Sequence, residues 1–204
     1  MPVDAGGRTV LTSIFKHAVS HPLRAGRLGI EGDQQADLTV HGGVDKAVYA
    51  YPSEHYSWWR EQLPDIEMPW GMFGENLTTE GVLESDLPIG QLLRVGTVLF
   101  QVRQPRMPCF KLALKFGRPD MVKRFWASGR SGFYLAVCEE GVLQAGDAME
   151  RDVVPDPLFT VAEVVRLYRD PAPAREALER AIAAPLAGSW KRELRERLSL
   201  AASE

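Results

Sequence analysis

Hydrophobic and polar residues alternate over short stretches through the first three quarters of the chain. Runs rich in β-branched and aromatic residues, bounded by glycine, proline or polar residues, predict strands at 9–15, 47–51, 92–94, 97–102, 132–138 and 148–151. Val95 and Gly96 lie between two of these runs and predict a hairpin turn. Many short strands with few helices are typical of a closed or partly closed β-barrel.

A helical period occurs in fewer places. Residues 53–62 predict a helix with Ser53 as its N-cap, and 119–127 predict a shorter one. In the last quarter of the chain, apolar positions three or four residues apart predict three short helices. Their apolar stripes are Val161, Val164, Val165 and Tyr168, then Leu178, Ile182 and Leu186, and finally Trp190, Leu194 and Leu198.

Glycine use changes near residue 151. Seventeen of the 18 glycines lie in residues 1–150, and Pro155 and Pro157 interrupt the stretch 152–157, which indicates a linker. We therefore predict two domains. The first is a mixed β-barrel, mainly β with some α, over residues 1–152, and the second is a small three-helix bundle over residues 153–204.

Composition and charge exclude several classes of protein. A net charge of −3 over 204 residues argues against binding of a nucleic-acid polymer through its phosphates. No apolar run is long enough to cross a bilayer, and we expect neither a signal peptide nor a membrane span. The two cysteines form no disulfide framework, so a cytoplasmic protein is expected. The sequence does not indicate an oligomeric state.

Cys109 has the most informative surroundings. Pro105 and Pro108 stiffen the backbone before it, and a short helical pattern follows it. Arg106 and Lys111 are close in sequence, and cationic neighbours at a helix start favour the thiolate. A thiolate attacks electrophiles or binds a soft metal, whereas the alternative role is that of a small buried hydrophobic side chain.

Positive charge is concentrated around this cysteine. Residues 103–130 contain eight basic side chains and a single acid, Asp120. Such a concentration favours an anionic small molecule, for example a ligand with a phosphate group. Arg106, between two prolines, is the best candidate for contact with that ligand, whereas Lys123 and Arg124 fit the exposed face of a helix.

Two polar loops supply further candidates. His41, followed by two glycines and then by Lys46, could bind an anion or a metal, although a histidine in a turn is more often structural. Asn76 in the loop 73–77 could pair with the edge of a heterocycle or form a turn. We expect Cys138 in the core and three histidines on the surface: His17, His21 and His55.

A series of short motifs occurs in a fixed order along the chain: TSIFK (12–16), GDQ (32–34), HGG (41–43), DKAV (45–48), YPSEHY (51–56), FGENL (73–77), IG (89–90), QPRMPCFKL (104–112) and AGD (145–147). In this order they resemble the MOSC family (molybdenum cofactor sulfurase C-terminal domain), and within it the YiiM-like bacterial proteins with a three-helix extension. Each motif is weak alone, but the joint order is specific and the resemblance covers nearly the whole chain.

The resemblance implies a fold, a cofactor and a reaction. It implies a MOSC β-barrel followed by a helical bundle, and it implies the molybdenum cofactor (molybdopterin), whose pterin has a phosphate and whose dithiolene holds the metal. Members of the family are associated with reduction of N-hydroxylated bases, so the substrate would be a small molecule. Because no flavin, haem or iron–sulfur motif is visible, electrons would come from a separate donor protein or a small reductant.

The resemblance also assigns residues. It implies that Cys109 is the molybdenum ligand and that Lys16, His41, Lys46 and Arg106 are basic positions around the cofactor cleft. Protonated His41 could then deliver the proton to the leaving oxygen of the substrate.

Two other functions stay open at this point. Cys109 could hold a persulfide as a sulfur carrier, or the protein could bind or store the cofactor without turnover. Composition and spacing alone indicate only a site for an anionic ligand that contains a reactive cysteine.

Overall fold

The structure, a computed structural model, describes residues 2–4, 7, 9–33, 43–152 and 158–201. In these residues the strands are β1 Pro2–Asp4, β2 Thr9–Leu11, β3 Leu23–Gly26, β4 Gly29–Ile30, β5 Val48–Pro52, β6 Leu77–Thr79, β7 Leu92–Val95, β8 Val98–Pro105, β9 Phe133–Glu139, β10 Gly141–Leu143 and β11 Met149–Arg151. The helices are α1 Glu54–Gln62, α2 Phe110–Phe116, α3 Met121–Ser128, α4 Val161–Arg169, α5 Arg175–Ala183 and α6 Gly188–Ala201, and a 3-10 turn spans Val44–Lys46.

A six-stranded sheet is the centre of this mixed α/β fold. Its strand order is β11-β7-β8-β9-β5-β6, and only the pair of β5 and β6 is parallel among the pairings described. The sheet curls into a half-barrel. Two smaller sheets, β10-β3-β4 and β1-β2, accompany it. The predicted fold class, a mixed β-barrel followed by helices, is therefore confirmed.

The six-stranded sheet has a buried core on each face. Every residue of β5 is buried, and successive side chains of a strand point to opposite faces. Val48 pairs with Leu135 on one face, which we call the tail face because the C-terminal helices cover it. Tyr49 pairs with Tyr134 on the other, which we call the cavity face.

The C-terminal helices complete the core of the tail face. Apolar side chains from all three helices, among them Val164, Leu178 and Trp190, lie in one buried cluster with residues of the sheet. A capping box of Thr160 and Glu163 begins α4. The three predicted helices are thus confirmed, and they share a continuous core with the sheet. The division into domains at residues 152 and 153 stays a prediction.

Aromatic side chains dominate the core of the cavity face. The rings of Tyr51 and Phe73 stack with centroids 4.3 Å apart, and Trp59 donates from Nε1 to the Tyr51 hydroxyl at 2.7 Å. Leu112 of α2 and Phe125 of α3 are buried in the same cluster. The helices α1, α2 and α3 are therefore fixed on the face of the sheet from which the cavity opens.

Strand β8 contains a bulge just before the residues that approach the cavity. Val102 and Gln104 pair with consecutive residues of β9, so Arg103 is an extra residue without a partner of its own in the ladder. With regular alternation, Gln104 and Arg106 would lie on the tail face together with Val102. The extra residue shifts the alternation by one position, so both side chains lie on the cavity face.

Several predictions need correction. The strand predicted over 9–15 ends at Leu11, because Ile14 turns away to hydrogen-bond the Thr12 hydroxyl at 3.2 Å and to bury its side chain among the aromatic residues. Ser53 does precede α1, but its hydroxyl contacts Glu54 at 3.4 Å and caps no backbone N–H.

Two side chains have the opposite exposure to the one predicted. Cys138 is exposed rather than in the core, because a second bulge leaves it unpaired between residues of β9 that pair with β8. His55 is only 12% exposed, and its Nε2 lies 2.7 Å from Glu84. His17 and His21 are exposed, as predicted. In the described parts of the chain, no helix combines the length and apolar character needed to span a bilayer.

Candidate functional site

A cavity of about 100 Å³ opens from the cavity face of the sheet beside Cys109. Five of the six predicted site residues line it together: Lys16, Lys46, Asn76, Arg106 and Cys109. The sixth, His41, lies outside the described residues. The cavity is formed where the segment after β2, the loop before β6 and the segment between β8 and α2 meet.

Arg106 forms one wall of the cavity. Its side chain is almost fully buried, and the guanidinium carbon lies 4.5 Å from the centroid of the Tyr49 ring. The guanidinium also donates to the carbonyl oxygen of Phe73. Burial, ring contact and hydrogen bond together hold a permanent positive charge in a fixed position next to Cys109.

Lys16 and Asn76 are linked through Asp33. Lys16 Nζ and Asn76 Nδ2 both donate to Asp33 Oδ2, the second at 2.6 Å. Asn76 is in turn fixed to β5, because its Oδ1 accepts from the Tyr49 N–H at 2.9 Å and its own N–H donates to the Tyr49 carbonyl at 2.8 Å. Burial lowers the pKa of Lys16, while Asp33 acts in the opposite direction. The ammonium therefore pays a desolvation cost, which an anionic ligand would reduce.

Lys46 and Lys111 bring further positive charge to the cavity. Lys46 ends the 3-10 turn, and Arg103, the extra residue of the β8 bulge, holds this turn through an ion pair with Asp45 at 2.8 Å. Burial lowers the pKa of Lys46 as well, against the raising effect of Asp45.

Cys109 immediately precedes α2, at its N-cap position, and is half-buried. Its backbone is extended, with φ −128° and ψ 172°, and its carbonyl accepts from the Leu112 N–H at 2.9 Å. The side chains of Met107 and Phe110 on either side of it are exposed. The half-buried thiol thus lines the cavity next to the buried charge of Arg106.

The other basic residues of segment 103–130 do not converge on the cavity. Arg118 and Arg124 both pair with Asp120 on the surface, at 3.1 and 2.5 Å. Lys115 lies over the Phe15 ring at 4.8 Å. Of the eight basic residues in this segment, Arg106 and Lys111 are the two among the described lining residues.

Several lining residues were not chosen from the sequence as site residues. They are Thr12, Ser13, Ile14, Asp33, Ala47, Tyr49, Gly74, Lys111 and Tyr134. Thr12, Ser13 and Ile14 lie within the TSIFK motif, and Asp33 lies in the first polar motif, so the motifs themselves were a usable signal. Tyr134 lies in no motif, and only the pairing of β9 with β5 and β8 places it there.

The donor set fits an anionic, sulfur-binding ligand. Four cations and one carboxylate line the described part of the cavity, together with one thiol. In the part of the chain that the structure describes, no group of three or more His, Cys, Asp or Glu side chains could hold a metal ion. A metal bound at Cys109 would therefore need ligands from its own cofactor, as a dithiolene supplies. The space suits a phosphate-sized group, so a larger ligand would extend past the mouth.

Comparison with known proteins agrees with this chemistry. Residues 37–150 match the model of the MOSC domain, and residues 160–201 match that of the YiiM-like 3-alpha helix domain. YiiM from Geobacillus stearothermophilus has a similar structure, with a TM-score of 0.82 and 35% identity over 97% of this chain and 94% of that one. The MOSC family is associated with binding of the molybdenum cofactor.

Two relatives in sequence are similar over most of the chain. The uncharacterized protein YflK of Bacillus subtilis is 38% identical over 93% of this chain and 86% of its own length. A protein of Gibberella moniliformis named "Reductase" is 34% identical over 80% of this chain, but the match spans only 29% of that protein. The two matched domains, in the predicted order, show that the chain belongs to the MOSC domain family and is a YiiM-like member with the 3-alpha helix domain.

Proposed function

We propose that this protein binds the molybdenum cofactor (molybdopterin) in the cavity at Cys109 and reduces N-hydroxylated small molecules, such as N-hydroxylated nucleobases. The observation that supports the proposal most directly is the combination of one thiol with four cations around one small cavity. A thiolate is a suitable ligand for a thiophilic metal, and fixed cations offset the charge of a phosphate and a dithiolene. A sequence relative, the Gibberella moniliformis protein, is named "Reductase", which is consistent with a reductive reaction.

The predicted site residues that line the cavity take three tasks in this proposal. Cys109 binds the metal, and Arg106, Lys16 and Lys46 bind the anionic parts of the cofactor. Asn76, fixed by β5, offers an amide to the heterocycle or to the substrate. When bound, the cofactor would supply two-electron redox chemistry, and the protein would position it and exclude water.

A proton must reach the oxygen that leaves the N-hydroxylated substrate. His41 stays the predicted donor. If it is the donor, His41→Ala lowers turnover and removes the alkaline limb of the pH–rate profile, where activity falls as the imidazolium loses its proton. Unchanged turnover together with an unchanged profile would eliminate this role.

The electrons would come from a separate donor protein or a small reductant in the cytoplasm. This follows from the same proposal and has its own test. The cofactor-loaded protein should stay oxidised with substrate alone, and it should turn over only when an artificial one-electron or two-electron donor is added.

The deciding experiment measures molybdenum and pterin in protein purified from a host that makes the cofactor. Wild type is compared with Cys109→Ser, and with Cys138→Ser as a matched control because Cys138 is exposed and outside the described cavity lining. The proposal expects near-stoichiometric metal in wild type and in Cys138→Ser, and a loss of metal in Cys109→Ser. Substrate reduction is then assayed with an N-hydroxylated nucleobase.

Other outcomes would support the remaining two functions. Pterin that stays bound in Cys109→Ser, together with no reduction of substrate by the wild type, indicates a binding or storage protein. Sulfane sulfur on Cys109 without molybdenum or pterin, even after reconstitution with cofactor, indicates a sulfur carrier.

A further inference from the structure

Tyr134 stands at the centre of the cavity face of the sheet. It pairs with Tyr49 of β5 on one side and with Gln104 of β8 on the other, so these three side chains share that face. The rings of Tyr134 and Tyr49 lie 5.1 Å apart. Tyr134 lines the cavity together with Arg106 and Cys109, although it belongs to none of the sequence motifs.

The hydroxyl of Tyr134 differs from those of the neighbouring tyrosines. Tyr49 donates to the Ser131 carbonyl at 2.8 Å, Tyr51 accepts from Trp59 at 2.7 Å, and Tyr56 donates to a buried carboxylate. Among the described residues, none hydrogen-bonds the hydroxyl of Tyr134. Because Tyr134 is partly exposed and lines the cavity, its O–H is available to donate to an acceptor that a ligand provides.

The charges around Tyr134 indicate the chemistry of that acceptor. Burial raises the pKa of the phenol above its ordinary value of 10.0, although Arg106 acts to lower it, so the hydroxyl keeps its proton at neutral pH. A neutral O–H donor beside a fixed guanidinium favours an oxygen atom with negative charge. The thiol at the same cavity places that oxygen next to whatever Cys109 binds.

We propose that Tyr134 is a positioning residue whose phenol O–H donates a hydrogen bond to an anionic or polarised oxygen of the ligand at Cys109. The oxygen belongs either to the bound cofactor or to the N–O group of the substrate, and the experiment distinguishes the two. The assignment of the ligand rests on the proposed function, whereas the donor role of Tyr134 toward an oxyanion is tested without it.

The first arm uses protein free of cofactor and molybdate as the probe. A Cys138→Ser background leaves Cys109 as the single thiol, and the rate of its alkylation by iodoacetamide reports how much of the cavity is free. Tyr134→Phe keeps the ring and removes only the hydroxyl. Tyr168→Phe is the matched control, because its hydroxyl bonds Glu193 at 2.5 Å on the surface of the C-terminal helices.

The inference expects molybdate to protect Cys109 in the parent and in Tyr168→Phe at the same concentration. For half-protection, Tyr134→Phe should need at least roughly tenfold more molybdate, because it loses one hydrogen bond to a charged group. An equal half-protection concentration in Tyr134→Phe would overturn the inference, and so would a parent that molybdate does not protect. The melting temperatures must match, and Tyr134→Met replaces the Phe variant if the latter does not fold.

The second arm uses the cofactor-loaded protein and an N-hydroxylated nucleobase. If Tyr134 binds the oxygen of the substrate, Tyr134→Phe raises KM roughly tenfold and changes kcat much less. If it binds an oxygen of the cofactor, the pterin content falls and KM stays constant. If no N-hydroxylated compound is reduced by the wild type, the proposed function fails, and the molybdate arm still decides the role of Tyr134.

Discussion

Replacement of Glu75 should show that one buried carboxylate holds the loop beneath the cavity. Glu75 is 3% exposed and accepts four hydrogen bonds. They come from the Tyr56 hydroxyl, the backbone N–H of Gly71 at 2.9 Å, the backbone N–H of Phe73 at 3.1 Å and the Thr78 hydroxyl at 3.1 Å. The loop that these bonds fix presents the Phe73 carbonyl to the guanidinium next to Cys109.

The cost of Glu75→Ala can be worked from these donors. Two backbone N–H groups and two hydroxyls lose their common acceptor, and each unsatisfied buried donor costs about 1–3 kcal/mol. The hydroxyls can rotate toward other acceptors, while the two N–H groups cannot. We therefore expect a loss of about 3–5 kcal/mol in the free energy of unfolding, as for other broken buried charge networks. Glu75→Gln should lose less, because one acceptor oxygen stays.

Urea unfolding followed by far-UV circular dichroism measures this change. Glu61→Ala is the matched control, because Glu61 is exposed on α1 and its replacement should change the free energy by less than about 0.5 kcal/mol. A loss below about 1 kcal/mol in Glu75→Ala would refute the reasoning, since the four donors would then be satisfied without the carboxylate.

Three further predictions follow from the same structure. Gly74→Ala should destabilise more than Gly81→Ala in a urea titration: both glycines have positive φ (77° and 74°), but a Cβ at the first would lie 2.6 Å from an isoleucine side chain, whereas the second has nothing within 4 Å. Lys16→Met should remove a pH-dependent gain in stability. Burial lowers the pKa of Lys16 in the folded state, so the unfolded chain binds more protons. The wild type should therefore gain stability relative to the variant as pH rises toward 10.5. Deletion of Arg103 should lower the free energy of unfolding by only about 1–2 kcal/mol, because it turns the bulge into a regular ladder and removes one partly exposed ion pair. Deletion of Gln101 should instead prevent folding, because Arg103 would then take the place of Val102 in the tail-face core. Unfolding curves of equal midpoint for the two deletions would contradict this.

The sequence was sufficient for elements whose pattern is local. The alternation in residues 97–102 and 132–138 and the apolar stripes of the three C-terminal helices are properties of adjacent residues, and the structure has strands and helices there. The cavity residues Lys16, Lys46, Asn76, Arg106 and Cys109 could be chosen because each lies in or next to a polar motif of recognisable order.

Side chains whose environment depends on distant partners could not be predicted in this way. His55 was expected on the surface, yet Glu84, 29 residues away, holds it in place, and Glu84 also accepts from the Gly132 N–H at 2.6 Å. That carboxylate joins three separate segments of the chain. No spacing in the sequence indicates such a contact, because it arises only when α1, the loop after β6 and the residue before β9 come together.

The bulges have the same origin and a larger effect on function. Cys138 extends the apolar run 133–137 and was expected in the core, but it occupies an unpaired position of β9 and is exposed. In β8, alternation from Val102 would turn Arg106 into the apolar core of the tail face, where an unpaired guanidinium would cost several kcal/mol. The extra residue at Arg103 places that charge on the cavity face instead. A bulge depends on the register between two strands, and neither strand shows the register by itself. The charge at Cys109 thus depends on a pairing that the motif around Cys109 does not contain, so the motif could indicate the ligand chemistry but not the geometry that brings Arg106 and Tyr134 to the same cavity.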